Sequence, residues 1–268
     1  MKNKTVIQGL ILFLSFFGMW FALSNVDFVS IFKIKERTSK VENKIGDLIW
    51  DDVTHSENIV TNDSITKLLN RLIKPICEAN KINFDSLKIH IVKKEDINAF
   101  ALPNNHLVVY TGLILNCKKQ EALQGVLSHE IAHIQQNHVM KKLSKEIGLT
   151  LILEATSGGK GGQILKEIFK ILSSTAYERS LEKEADLTAV NYLLKANINP
   201  KPMADFMYEL AQNHNNTSGF SWISSHPDSE ERAKYILDYV KGKKYSTTQI
   251  VIQSDWKSFQ EKIKKLDQ

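Results

Sequence analysis

The H-E-I-A-H motif at residues 129–133 constrains this chain more than any other feature of its sequence. It lies in the stretch 121–143, where apolar residues recur with helical spacing, so we predict a helix there. Residues four apart lie on one face of a helix, and both imidazoles can therefore reach one Zn²⁺ ion. Glu130 would stand beside a metal-bound water and accept its proton as that water attacks a carbonyl. The motif thus favours a zinc site that hydrolyses amide bonds.

A catalytic zinc usually has three protein ligands and one open position, so a third ligand must come from elsewhere in the chain. Gln136 and Val139 occupy the glycine and third histidine positions of the metzincin pattern, which argues against that branch. His138 is one position off that pattern and is predicted to be solvated. A downstream acidic helix is the better source: Glu182 could bind zinc while Asp186 fixes a ligand histidine through its second nitrogen. The alternative interpretation of this acidic run is a solvated helix face.

The remaining periodicity predicts a mainly helical α+β fold with a small β-sheet. Alternation over 87–92 and 107–110 predicts two strands, and 98–106 between them reads as a connection or an edge strand. The glycine-rich segment 157–162 predicts a flexible loop, and it fits neither of the common phosphate-binding patterns. Further helices are predicted over 62–76, 164–172, 180–196, 202–213 and 229–240.

Charge and cysteine content exclude some classes of partner and site. The formal net charge is 35 − 30 = +5, spread along the chain, which argues against nucleic-acid binding. The two cysteines, Cys77 and Cys117, form no C-x-x-C pair, so a metal site must use histidine and carboxylate. A disulfide between them and two free buried thiols are equally open alternatives.

The N-terminus carries a membrane-targeting pattern. Behind two lysines, residues 6–23 form an almost wholly apolar run of 18 residues, longer than the core of a typical signal peptide. We predict one N-terminal membrane helix that anchors the chain, with the remainder outside the cytoplasm; a cleaved signal is the alternative.

Four motifs occur in an order and spacing that resemble one known family. They are NAFALPNNHLVVYTGLI, HEIAH, RSLEKEAD and SHPDSEER, and the resemblance covers 59–237. Together they are similar to the HtpX and CAAX-prenyl-protease family of gluzincin zinc metallopeptidases, closest in type to periplasmic members such as BepA and LoiP. The resemblance implies a zincin-type domain with one Zn²⁺ and Glu130 as general base. It implies these metal ligands and this orienting carboxylate: His129, His133 and Glu182, with Asp186 behind a ligand.

The resemblance also assigns residues around the metal. It implies an edge strand that pairs with an extended substrate, formed by Asn98, Ala99, Phe100 and Ala101. His226 and Arg232 match a His-Pro position and its partner arginine, which would stabilise a developing oxyanion. His226 could instead bind the open zinc position in a resting form, and a helix cap with a surface ion pair is the structural alternative.

The sequence therefore predicts a zinc-dependent endopeptidase, and the resemblance alone implies unfolded or misassembled envelope proteins as its substrates and a role in protein quality control. It would be held to the inner membrane and face the periplasm; prenyl processing is disfavoured because only one apolar run exists. A chaperone-like binder with a closed zinc site and a structural zinc protein with four ligands are the alternatives, and the oligomeric state stays open. The predicted segments are the anchor or signal at 1–24, a stalk at 25–58, the zinc metallopeptidase domain at 59–240 and a C-terminal tail at 241–268.

Overall fold

The structure is a computed structural model that describes residues 13, 15, 34–156, 161–213, 221–243, 245 and 253–267. The chain divides into two compact units, 1–41 and 42–268, and every predicted site residue belongs to the second. The predicted membrane helix lies outside the described residues except at positions 13 and 15, as does 157–160 of the glycine-rich loop. Within the described ranges, no helix combines the length and apolar character needed to span a membrane.

The described elements are mostly helices around one short sheet, which confirms the predicted mainly helical α+β class. In chain order they are α1 (Ile34–Ser56), α2 (Asp63–Ala79), β1 (Lys88–Val92), β2 (Ala99–Leu102), β3 (His106–Tyr110), α3 (Thr111–Asn116), α4 (Gln120–Gln135), α5 (His138–Glu146), α6 (Gly148–Thr156), α7 (Gly161–Ser174), α8 (Arg179–Lys195), α9 (Lys201–Asn213), α10 (Ser221–Ser225), α11 (Ser229–Val240) and α12 (Gln253–Lys264). Short 3₁₀ turns lie at Phe84–Ser86 and Lys265–Asp267.

The sheet places β2 at its edge. The strand order is β1-β3-β2, with β1 parallel and β2 antiparallel to β3. Phe100 stands opposite Val108 in this register. The hairpin between β2 and β3 turns at Asn104 and Asn105, whose φ angles are 62° and 59°. Asparagine tolerates this left-handed conformation, so the tight turn forms without glycine.

The motif helix α4 runs through the core, but it is shorter than predicted. The expected single helix over 121–143 is two helices, because Asn137 adopts φ 56° and redirects the chain between α4 and α5. Helices α8 and α9 and strand β2 surround α4. The approach of α9 is close: a Cβ added to Gly125 would lie 2.4 Å from Cβ of Met203.

The packed domain extends beyond the predicted 59–240 on both sides. Within the predicted stalk, α1 buries apolar side chains, and a Cβ on its Gly46 would lie 2.1 Å from the carbonyl oxygen of Pro103. Within the predicted tail, α12 buries Trp256, whose indole nitrogen donates to the carbonyl of Cys117 at 3.2 Å. Cys77 and Cys117 are both buried free thiols, as in the second of the two cysteine alternatives.

Candidate metal centre

Four buried donor side chains meet at one point in the core. His129 and His133 lie one turn apart on α4, Glu182 comes from the first turn of α8, and His226 follows α10. One ligand atom from each lies within 4.8 Å of all the others. The three ligands predicted from sequence are therefore brought together, and His226 joins them.

The distances define which atoms face the common point. The Nε2 atoms of His129 and His133 are 2.9 Å apart. Glu182 Oε1 is 3.3 Å from Nε2 of His133 and 2.9 Å from Nδ1 of His226. His226 Nδ1 is also 3.2 Å from Nε2 of His129. Two imidazole Nε2 atoms, a third imidazole nitrogen and a carboxylate form the nitrogen and oxygen donor set that zinc accepts.

The protonation of these groups suits metal binding. Burial lowers the pKa of His133 to about 3 and that of His226 to about 4, so both imidazoles are neutral at pH 7. Burial alone would raise the pKa of Glu182, but the nearby His226 and Arg232 hold it well below the usual range. Metal ligands must be neutral imidazole or ionised carboxylate, and the site supplies both.

Glu130 is buried directly beside the donor group. One of its carboxylate oxygens is 3.3 Å from Nε2 of His226. Neither oxygen accepts a well-formed hydrogen bond from the described residues. Burial, together with the negative charge of Glu182, raises the pKa of Glu130 well above its usual value. A carboxylate in such surroundings gains proton affinity, which is what a general base at neutral pH needs.

Asp186 and Arg232 lie behind the ligands. Asp186 Oδ1 is 2.9 Å from Nδ1 of His129, on the ring side opposite the common point. Arg232 donates from Nε and Nη2 to the Asp186 carboxylate at 2.8 Å each, and its Nη1 is 2.6 Å from Oε2 of Glu182. The Tyr235 hydroxyl donates to Asp186 as well. Because Arg232 is only 3% exposed, the surface ion pair considered from sequence is excluded.

Two aromatic side chains that sequence reasoning missed pack on the donor group. The Tyr177 ring stacks on His133 with centroids 4.1 Å apart and lies 5.6 Å from the ring of His226. Trp222 lies 5.0 Å from the His226 ring. Tyr177 directly precedes the acidic motif, but a lone aromatic beside a motif gives no signal of its contacts.

His138 was predicted to be solvated, and this prediction is wrong. Its side chain is fully buried, and its Nδ1 atom lies 3.0 Å from Nδ1 of His133. The prediction rested only on the mismatch with the metzincin spacing, and the turn at Asn137 brings His138 into the core by breaking the helix. In the sequence, the one feature that could have indicated this contact is the position of His138, five residues after the predicted ligand His133.

The residues predicted to bind substrate form or precede the edge strand, and a helix packs along them. Asn98, Ala99, Phe100 and Ala101 are each at most 1% exposed. The side-chain Nδ2 of Asn98 donates to the backbone carbonyl of Ser173, and the Phe100 ring meets the Phe169 ring edge-on with centroids 5.6 Å apart. Both partners belong to α7, so α7 lies against the side chains of the predicted substrate strand.

Comparisons with known proteins agree with this geometry. The family model described as peptidase family M48 matches residues 61–240. The chain is 31% identical over 182 residues to the mitochondrial metalloendopeptidase OMA1 of Bos taurus, covering 62% of this chain and 34% of that protein. It is 28% identical over 165 residues to the metalloprotease LoiP of Escherichia coli, covering 59% and 65%. It is 27% identical over 195 residues to a putative beta-barrel assembly-enhancing protease of Vibrio cholerae, covering 65% and 40%. The matched region thus spans less than two thirds of each of these relatives, and their names support metalloendopeptidase activity.

Proposed function

The chain belongs to peptidase family M48, and from this premise we propose that it is a zinc-dependent endopeptidase of unfolded or misassembled envelope proteins. The observation that carries the proposal is the buried group of His129, His133 and Glu182 with Glu130 beside it. Three ligands and an adjacent carboxylate are the minimum set for hydrolysis by a metal-bound water.

In this proposal each side chain has a defined task. His129 and His133 would hold zinc through imidazole nitrogens and Glu182 through its carboxylate, and the bound ion would supply a polarised water and a Lewis acid for the scissile carbonyl. Glu130 accepts a proton at its carboxylate and returns it to the departing amine. Arg232 keeps Glu182 ionised and in place through the 2.6 Å contact at Nη1.

His226 defines a closed resting form of the site. Its Nδ1 atom stands among the other donors, where a fourth ligand would lie. We propose that His226 leaves this position when substrate enters and then serves the oxyanion, with Arg232 close to its backbone: Nη1 donates to the His226 carbonyl at 3.0 Å. A preorganised donor at a developing oxyanion contributes about 3–4 kcal/mol to transition-state stabilisation.

The same closed arrangement favours the second candidate function, a chaperone-like binder whose zinc site stays shut. A purely structural zinc site also uses four ligands. Neither role requires Glu130, yet Glu130 is fully buried beside the donor group, with one carboxylate oxygen 3.3 Å from Nε2 of His226. Burying a carboxylate is costly, so its presence there supports the hydrolytic function.

The substrate class and the location are inferred from one relative and from the N-terminal sequence pattern. One similar protein is named for enhancing beta-barrel assembly and is a protease, which supports envelope proteins as the substrate class. An N-terminal anchor at 1–24 would hold the domain on the periplasmic side of the inner membrane. An extended substrate could add to the edge of β2 once α7 moves away from it.

The test combines metal content with cleavage in the purified full-length chain. We expect one zinc per chain and cleavage of casein by the wild type, and zinc without cleavage in Glu130→Gln. Glu182→Ala should lose zinc, whereas Glu121→Gln, on the same helix as Glu130 but two turns before His129, should change neither property. Wild-type levels of zinc in Glu182→Ala would refute the ligand assignment. Zinc without cleavage in the wild type would favour the binder.

A further inference from the structure

A buried histidine outside the donor group contacts one of the metal ligands from behind. The Nδ1 atom of His138 lies 3.0 Å from Nδ1 of His133, and the His138 side chain has no exposed surface. On its other side, Nε2 of His138 lies 3.4 Å from a carboxylate oxygen of Glu184. The Glu184 side chain is 48% exposed, so contacts through His138 connect His133 to a surface residue.

Only one arrangement of protons makes all of these contacts favourable. A neutral imidazole carries one N–H, and His133 can offer Nε2 to a metal only when its proton is on Nδ1. That N–H then points at Nδ1 of His138, which must be the acceptor. The proton of His138 is consequently on Nε2, the atom 3.4 Å from the carboxylate of Glu184.

The other motif histidine has a different partner for the same purpose. Nδ1 of His129 faces Asp186 directly at 2.9 Å. Resting on the proposed zinc function, we infer that His138 and Glu184 position His133 for the metal, as Asp186 positions His129. They are positioning residues: they fix the tautomer and ring orientation of a ligand and touch neither metal nor substrate.

The local backbone explains how a residue five positions on can reach the ligand. In a continuous helix, residues three or four apart share a face and the fifth turns away. Asn137, with φ 56°, interrupts the helix, and a new helix, α5, begins at His138. The left-handed turn therefore brings the His138 ring behind His133.

Zinc affinity of the full-length protein tests this inference without using activity. Affinity is measured by competition with a chromophoric chelator, the visible spectrum is recorded with Co²⁺ in place of zinc, and thermal unfolding of the metal-free form reports folding. His138→Leu keeps the volume but removes the acceptor, whereas His138→Asn retains an oxygen near the Nδ1 position. Glu184→Gln is compared with Glu178→Gln, a matched control whose side chain is 51% exposed and paired with Lys145.

We expect His138→Leu to weaken zinc binding by about 10- to 100-fold and to alter the Co²⁺ spectrum. His138→Asn should recover part of the affinity, Glu184→Gln should show a smaller loss, and Glu178→Gln should match the wild type. Wild-type affinity in a folded His138→Leu protein would overturn the inference. If His138→Leu does not fold, equal affinities in Glu184→Gln and Glu178→Gln would overturn it. Failure of the wild type to bind zinc would instead refute the proposed function itself.

Discussion

Replacing Asp186 with asparagine should destabilise the metal-free protein by about 3–5 kcal/mol, although the two side chains have the same shape. Asp186 is fully buried and faces donors from three residues: two nitrogens of Arg232 at 2.8 Å, Nδ1 of His129 at 2.9 Å and the hydroxyl of Tyr235. An amide in its place would present N–H groups to some of these donors and leave the buried guanidinium short of one negative charge.

The magnitude follows from the kind of contact that is lost. Breaking a buried ion pair from one side costs about 3–5 kcal/mol, because the remaining charge stays desolvated. A single hydrogen bond to a charged group contributes about 1.5–3 kcal/mol, so Tyr235→Phe should show a smaller loss in that range. Asp238→Asn, an exposed change on the same helix as Arg232, should stay within about 0.5 kcal/mol of the wild type.

The same carboxylate predicts a pH dependence. Burial alone would raise the pKa of Asp186, but Arg232 and His129 hold it below its usual range. A lowered folded-state pKa contributes stability that is fully present above the unfolded pKa of about 3.9 and is lost as the pH falls towards the folded value. The wild type should therefore lose stability below about pH 4, and Asp186→Asn should lack this part of the loss.

Urea denaturation of the metal-free proteins, followed by tryptophan fluorescence, measures these free energies of unfolding. The wild type, Asp186→Asn, Tyr235→Phe and Asp238→Asn are compared at pH 7 and between pH 5 and pH 3. If the free energy of unfolding of Asp186→Asn lies within about 1 kcal/mol of the wild-type value at pH 7, Asp186 is not the buried ion-pair partner of Arg232. Removing one partner of a buried ion pair costs more than that.

Two further predictions concern the periphery of the site. Trp256→Ala should lower the free energy of unfolding by about 3–5 kcal/mol, because it empties a buried site on α12. Lys257→Ala, an exposed change on the same helix, should leave this free energy unchanged. If the two variants unfold at the same urea concentration, α12 is not part of the folded core. Phe169→Ala removes the edge-on contact to Phe100 and should weaken the packing of α7 on β2. We therefore expect a higher kcat/KM for unfolded casein. An unchanged kcat/KM in a folded variant would contradict the proposal that α7 limits access to β2.

Two pairs of site residues could be predicted from the sequence because their spacing is local, whereas the meeting of the two helices was implied only by the family resemblance. His129 and His133 share a helical face at four residues, as do Glu182 and Asp186, and each pair needs only its own helix to be correct. The contact of His138 depends instead on a left-handed Asn137, which helical periodicity does not report. Packing between segments that are distant in the chain likewise cannot be predicted from hydrophobic periodicity or from short motifs.

The packing of the C-terminal tail is an example of a long-range contact that the sequence does not predict. The side chain of Gln260 on α12 donates to the carbonyls of Ile114 and Cys117, about 140 residues earlier in the chain. No short-range pattern relates these segments, so a tail with helical character could be predicted but its docking partner could not. The same holds for α1, whose residues were assigned to a stalk.

In the proposed closed form, α7 covers β2 and His226 occupies the fourth donor position, and because one short segment joins the two features we expect them to open together. Tyr177 follows α7, stacks on His133 and donates its backbone N–H to the carbonyl of Ser225 at 3.1 Å, immediately before His226. A movement of α7 away from the edge strand would therefore displace Tyr177 and, through its hydrogen bond to Ser225, the segment that places His226 among the donors. We expect Phe169→Ala to increase hydrogen exchange at the Tyr177 and His226 amides together. An increase at only one of them would show that strand access and the fourth donor position are controlled separately.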